Sequence, residues 1–262
     1  MIPKIIHYCW LSNSTVPADL QRCMESWKKY LPDYEIMLWN FDRFSKSQSK
    51  WVSDAFDNKK YAFAADYIRI YALYHFGGIY LDMDVEVVKS FNKFLVLGTM
   101  MGCEDSKSAG LEVAAFGVER YSVWMKACLD YYDSRNFINK DGKFNMHPLP
   151  GVVYRCLERN GYSFVYVKTI EEALKVKEPQ IPVFPCDFFS PKNHVSGKIQ
   201  RTTNTHSIHH FAGSWEPWYF RIEQKFWHAI GLRDMRIILR MVNIVKYGSI
   251  KSVPPQAAKK KD

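Results

Sequence analysis

The segment from Tyr61 to Val88 constrains the fold more than any other stretch of the chain. Its first part, about Tyr61 to Phe76, is rich in apolar and aromatic residues, contains neither Gly nor Pro, and reads as a helix. Gly77-Gly78 stops it, because glycine accepts the left-handed backbone at a helix end. Ile79-Tyr80-Leu81 and Val85 to Val88 read as strand pieces on either side of Asp82-Met83-Asp84. Two carboxylates therefore stand where an apolar strand ends. Such a strand needs a sheet around it and a helix over it, which is an α/β arrangement.

The rest of the chain agrees. Lys4 to Tyr8 is a short β-type run, Pro17 suits the first turn of a helix reaching Tyr30, and Tyr34 to Trp39 is a second strand. This βαβ beginning implies parallel pairing. Strands are predicted at about Thr99 to Cys103, Glu112 to Val118, Phe164 to Val167 and Ser207 to Phe211. Helices are predicted at about Tyr121 to Tyr132 and Pro150 to Asn160. The economical organisation is one α/β domain over 1–230, a basic amphipathic helical extension over 231–252 and a flexible basic tail over 253–262.

Composition excludes several classes. With 262 residues, 47% hydrophobic and 16% aromatic, the chain is not a disordered one. No apolar run reaches the ~18 to 20 residues of a membrane-spanning helix. The first residues lack a basic leader ahead of an apolar core, so no signal peptide is expected. Cys9, Cys23, Cys103, Cys128, Cys156 and Cys186 are scattered without a CxxC pair. That spacing predicts reduced thiols and a cytoplasmic location rather than a disulfide framework.

The net charge of +9 is uneven. Residues 231–262 carry eight basic and two acidic side chains, so the tail holds +6 and residues 1–230 only +3. A nucleic acid is therefore not an expected partner of the body. On a helical wheel, Leu232 to Val245 places Arg233, Arg236 and Arg240 opposite a broad apolar arc. Two readings follow: a helix lying peripherally on the anionic inner face of a membrane, or one packed on the domain with its arginines in solvent.

Asp82 and Asp84, one residue apart at a strand end, can share a hard divalent cation that takes further oxygens from a substrate phosphate. Asp66 and Arg69 lie three apart on the preceding helix and so share a face. Their neighbours Ala64, Ala65, Tyr67, Ile68, Ile70 and Tyr71 are apolar, which points the pair into a pocket rather than to solvent.

The run Ala64-Ala65-Asp66-Tyr67-Ile68-Arg69 through Gly77-Gly78-Ile79-Tyr80-Leu81-Asp82-Met83-Asp84 resembles the A-x-D-x-x-R…G-G-x-Y-x-D-x-D block of the DXD-containing sugar transferases. These are the glycosyltransferase family 32 enzymes, including yeast-type α-mannosyltransferases and bacterial capsule enzymes, and the related large clostridial glucosylating toxins. Pro3-Lys4-Ile5-Ile6-His7-Tyr8-Cys9-Trp10 resembles the family's opening strand, and Tyr34 to Asn40 its second. His209-His210-Phe211-Ala212-Gly213-Ser214-Trp215 resembles its terminal H-x-x-G-S-W element.

The resemblance implies a GT-A type fold, a Rossmann-like mixed sheet flanked by helices. It implies transfer of a sugar from a nucleotide-sugar donor to a saccharide or lipid-linked saccharide acceptor in cell-surface (capsular) polysaccharide synthesis, with retention of configuration. The donor it favours is a UDP-sugar; GDP-mannose is the alternative. By the same resemblance Asp82, Asp84 and His210 hold the metal, with His209 as the competing ligand. An imidazole in the set favours Mn²⁺ over Mg²⁺. Asp82, Asp84, Asp66 and Arg69 form the catalytic group. Trp10 stacks on the base, Asn40, Asp66 and Arg69 orient the sugar, and Tyr80, Asp82, Ser214 and Trp215 complete the donor site. Gly98 to Asn160 carries no motif of the family, so the acceptor is not read from it. Two rivals are a metal-dependent phosphohydrolase and a decayed carbohydrate-binding scaffold.

Overall fold

A computed structural model describes residues 1–104, 110–194 and 196–212. The 230 boundary, the 231–252 helix, the 253–262 tail, Ser214 and Trp215 all lie outside the described residues.

The elements in chain order are β1 (Ile5–Cys9), α1 (Ala18–Tyr30), β2 (Glu35–Trp39), α2 (Lys50–Asp57), α3 (Tyr61–Phe76), β3 (Gly78–Leu81), β4 (Val85–Val87), β5 (Thr99–Cys103), β6 (Leu111–Val118), α4 (Val123–Asp133), α5 (Leu149–Arg159), β7 (Ser163–Tyr166), α6 (Ile170–Ala173), β8 (Gln180–Val183), α7 (Cys186–Phe189) and β9 (Ser207–His209). The central sheet has the order β2-β1-β3-β6-β5. β1 is parallel to both β2 and β3, whereas β6 is antiparallel to β3 and to β5. The sheet is thus mixed, as expected, and the parallel pairing implied by the βαβ start holds for three of its five strands. β4 pairs with β9, and β7 with β8, in two small ribbons.

Helices cover both faces. Along β3, Ile79 and Leu81 enter one core with Trp27, Val85, Phe94 and Phe189, while Tyr80 enters the other with Trp39, Ile68, Phe116 and Trp124. This alternation is the period of two that a strand imposes. The turn into β3 requires its glycines. Gly77 and Gly78 have φ of 65° and 101°. A Cβ on Gly78 would lie 2.6 Å from the Ile5 carbonyl oxygen, so only glycine lets β3 lie this close to β1.

β1 lies between two parallel neighbours, so the chain leaves it in opposite directions for β2 and β3. In open α/β sheets ligands bind at the carboxyl ends of strands beside such a reversal. Those ends carry Trp10, Asn40 and Asp82.

His7 fastens the three strands. Its Nδ1 accepts from Trp39 Nε1 at 3.0 Å on β2, and its Nε2 donates to the Gly77 carbonyl at 2.7 Å ahead of β3. This pattern fits only the neutral ring. Burial lowers the His7 pKa to about 4, against the hydrogen bond to Gly77. An unfolded chain takes up this proton near pH 6.5, while the folded chain resists until about pH 4. The contribution is therefore complete above pH 6.5 and is lost as pH falls from 6.5 to 4, by on the order of 3 kcal/mol. Urea unfolding at pH 7 and pH 4.5 should show a larger acid loss for wild type than for His7→Gln. Equal losses would show that His7 does not govern this window.

Candidate active site

The site begins with α3. Its surface is buried almost all round, so it can carry Asp66 and Arg69 only if they pair. They do: Arg69 is 7% exposed and Asp66 8%. Arg69 Nη2 lies 3.4 Å from Asp66 Oδ1 and donates to Asp82 Oδ1 at 3.0 Å. Its Nη1 donates to the Val113 carbonyl at 2.8 Å and to Asp82 Oδ2 at 3.4 Å. The guanidinium stands over the Tyr80 ring, 4.4 Å from its centroid. One buried cation thus joins α3, the end of β3 and β6.

On the other side of the Asp82-Met83-Asp84 turn, β9 delivers a histidine. The residue it brings to the aspartates is His209, not the expected His210. His209 Nε2 is 3.6 Å from Asp84 Oδ2, and its Nδ1 is 3.3 Å from Glu112 Oε2. His210 turns to the other side, 3.0 Å from Glu86 Oε2, at a half-exposed position. The reason is the strand itself: successive side chains point to opposite faces, so two adjacent histidines cannot share one site. The last residues of this segment bind the turn through their backbone. His210 N donates to the Asp84 carbonyl at 3.0 Å, and Ala212 N to Asp84 Oδ2 at 2.7 Å.

Among the described residues, Asp82, Asp84 and His209 form a group whose ligand atoms lie within 4.8 Å of one another. Two carboxylate oxygens and an imidazole nitrogen suit Mn²⁺ or Mg²⁺ and leave coordination positions for diphosphate oxygens. The electrostatics agree. Among the described residues, Asp66, Asp82, Asp84 and Glu112 gather around Arg69 and His209, with Lys192 also near Asp84, so carboxylates outnumber cations. Burial raises the pKa of Asp66 to about 7 despite the nearby Arg69. Burial also raises Asp82, opposed by Arg69 and reinforced by Asp84. Asp84 is held at about 2: burial pushes it up, but His209 and the Ala212 amide outweigh it. Burial disfavours a charge on His209, yet Glu112 and Asp84 keep it well above the ordinary imidazole range. Asp82 already gives both oxygens to the Arg69 fork, so Asp84 is the carboxylate freer to bind a cation directly.

The remaining expected residues divide. Trp10 closes β1 half-buried, its Nε1 donating to the Ser14 carbonyl at 3.1 Å. Asn40 caps its own turn, accepting from the Asp42 and Arg43 amides at 3.2 Å each. Tyr80 is 2% exposed beneath Arg69, so it supports the guanidinium instead of touching a donor. Glu112 escaped the sequence reading. Its signal was a lone acidic residue in an otherwise apolar strand.

Comparison with known proteins finds similarity around these residues. Residues 17–99 match the glycosyltransferase sugar-binding region containing the DXD motif. The chain is 30% identical over 145 residues to the mannosyl phosphorylinositol ceramide synthase SUR1 of Saccharomyces cerevisiae, covering 53% of this chain and 37% of that protein. It is 35% identical over 98 residues to the inositol phosphoceramide mannosyltransferase 3 of Schizosaccharomyces pombe, covering 36% and 27%. The chain thus spans about a third of the length of these relatives. Among solved structures, the PaToxG glycosyltransferase aligns over 61% of this chain and 70% of its own at 20% identity, with a TM-score of 0.49. Over residues 17–99 the chain is thus similar to the glycosyltransferases with a DXD-containing sugar-binding region. No helix among the described residues is long and apolar enough to cross a membrane.

Proposed function

We propose that the protein is a metal-dependent glycosyltransferase that moves a sugar from a nucleotide-sugar donor to a saccharide or lipid-linked acceptor. The observation that carries this reading is the half-buried acid-rich cluster of Asp82, Asp84 and His209 at the carboxyl end of β3, joined through Asp82 to Arg69 and Asp66. Asp84 and Asp82 would hold the cation, joined by His209 Nε2 once the metal displaces its proton. When bound, it supplies Lewis-acid stabilisation of the departing nucleoside diphosphate. The chain's own side chains supply the rest. Asp84 stays ionised at neutral pH because His209 and the Ala212 amide hold its carboxylate. Arg69 fixes Asp82 and Asp66 so that their remaining lone pairs can accept from sugar hydroxyls. Trp10 offers an indole face at the mouth of β1 for a nucleobase.

The sugar is taken to be mannose. The names of both yeast relatives specify mannosyl transfer, which moves the weight from a UDP-sugar to GDP-mannose. A phosphohydrolase would need a further ligand set, and among the described residues only one such three-residue group occurs. Calorimetric titration with UDP and with GDP, each with and without Mn²⁺, tests the reading. Metal-dependent GDP binding is expected. Metal-dependent UDP binding would restore a UDP-sugar donor, and binding of neither would reject the transferase assignment.

A further inference from the structure

Glu112 is a carboxylate that the proposed chemistry does not use. It is 2% exposed, in a strand whose eight residues are all buried. An acidic side chain there is costly unless it is paired. Each of its two oxygens has a partner, and the Ser190 hydroxyl also helps to hold it ionised. Oε1 accepts from the Ala114 amide at 2.7 Å, which fixes the carboxylate to its own strand. Oε2 faces His209 Nδ1 at 3.3 Å. The pairing is set by topology. β6 continues past its partner β3 beside the 82–84 turn, with Asp82 N donating to the Ala114 carbonyl at 2.8 Å. β9 comes in on β4 with His209 opposite Val85. A strand from the central sheet and a strand from the outer ribbon are therefore joined by the Glu112–His209 pair.

We infer that Glu112 is the positioning residue for His209: it fixes the imidazole with Nδ1 toward β6 and Nε2 toward Asp82 and Asp84. An ionised carboxylate only accepts, so Nδ1 carries the hydrogen of this contact. The ring's other nitrogen is thereby the one presented to the aspartates. Phe211 packs against the opposite side of the ring, with centroids 4.0 Å apart, so His209 is held edge-on by Glu112 and face-on by Phe211. Carboxylate–histidine pairs of this kind set the orientation of a ligating imidazole, and losing the carboxylate typically lowers metal affinity ~10- to 100-fold. The inference about metal rests on the transferase reading, but the orientation of the ring does not.

The test uses Glu112→Gln, which keeps shape and an acceptor oxygen, and Glu112→Ala, which removes both. The first readout needs no metal. In ¹⁵N-labelled protein, the His209 ring signals, assigned by their loss in His209→Ala, are compared among the three proteins. A protected Nδ1–H resonance is expected in wild type, retained in Glu112→Gln and lost in Glu112→Ala. The second readout is the dissociation constant for Mn²⁺. It should rise about 10- to 100-fold in Glu112→Ala, and Glu112→Ala/His209→Ala should bind no more weakly than His209→Ala alone. An unchanged His209 resonance in Glu112→Ala would overturn the inference, and so would additive losses in the double variant. If wild type bound no Mn²⁺ while the His209 signal still depended on Glu112, the positioning role would stand and the transferase reading would fall. Should Glu112→Ala not fold, Glu112→Met, which keeps the bulk and removes the acceptor oxygens, takes its place with the same outcomes: loss of the protected Nδ1–H supports the inference and its survival overturns it.

Discussion

Asp84→Asn should abolish sugar transfer while leaving the fold standing, with a fall in kcat/KM of at least about 10³-fold. Asparagine matches aspartate in shape, and its carbonyl can still accept from the Ala212 amide that now reaches Asp84 Oδ2 at 2.7 Å. What disappears is one negative charge at a site where carboxylates outnumber cations. Without that charge the cluster attracts a divalent cation less strongly, while the repulsion that raises the neighbouring Asp82 is relieved. Stability and activity should therefore separate. Thermal unfolding without metal should stay within a few degrees of wild type, and Mn²⁺ binding and transfer should both collapse. Asp84→Ala should lose transfer equally, and it also removes the hydrogen bond from the Ala212 amide. Transfer by either variant in metal-replete buffer at near wild-type rate would remove Asp84 from the site.

What could be read in the sequence was whatever depends on short-range pattern. α3 is found at Tyr61 to Phe76, the bounds its composition predicts, because a long helix ending in two glycines leaves few alternatives. The acidic turn after β3 follows for the same reason. α2 was missed although its signal was present. Ser49 accepts from the Val52 amide as an N-cap, and Trp51, Val52 and Ala55 fall on one buried face, but eight residues give a weak periodicity. β8 was missed because Pro182 lies inside it, which a strand in a two-stranded ribbon tolerates. The choice between His209 and His210 could not be made from spacing, since it depends on the phase in which β9 pairs with β4. Tyr80 sits in the motif, yet strand alternation turns it into the core. Glu112 belongs to no motif and lies 28 residues beyond Asp84 in the chain, so only the sheet order brings the two together.

Arg69 is where stability and site coincide, and its removal should have the largest effect on the fold. The guanidinium is the one partner that Asp66 and Asp82 share, and it also satisfies the Val113 carbonyl. Arg69→Leu preserves bulk but leaves the buried Asp66 and the partly exposed Asp82 facing each other with no cation between them. Breaking a buried pair costs roughly 3–5 kcal/mol, and the partial exposure of Asp82 and the ready protonation of Asp66 place this loss at the lower end. Arg69→Lys keeps the charge but not the fork. One ammonium cannot reach Val113, Asp66 and both oxygens of Asp82 in a plane, so a smaller loss of stability with a large loss of activity is expected. Adding Asp82→Asn to Arg69→Leu should recover part of the lost stability, since it removes one of the two stranded charges, and should recover no activity. Urea unfolding of the four proteins decides this. A loss below about 1 kcal/mol in Arg69→Leu would place it with exposed ion pairs, contrary to its burial. No recovery in the double variant would mean that the cost lies in packing against Tyr80 instead of in the orphaned carboxylates.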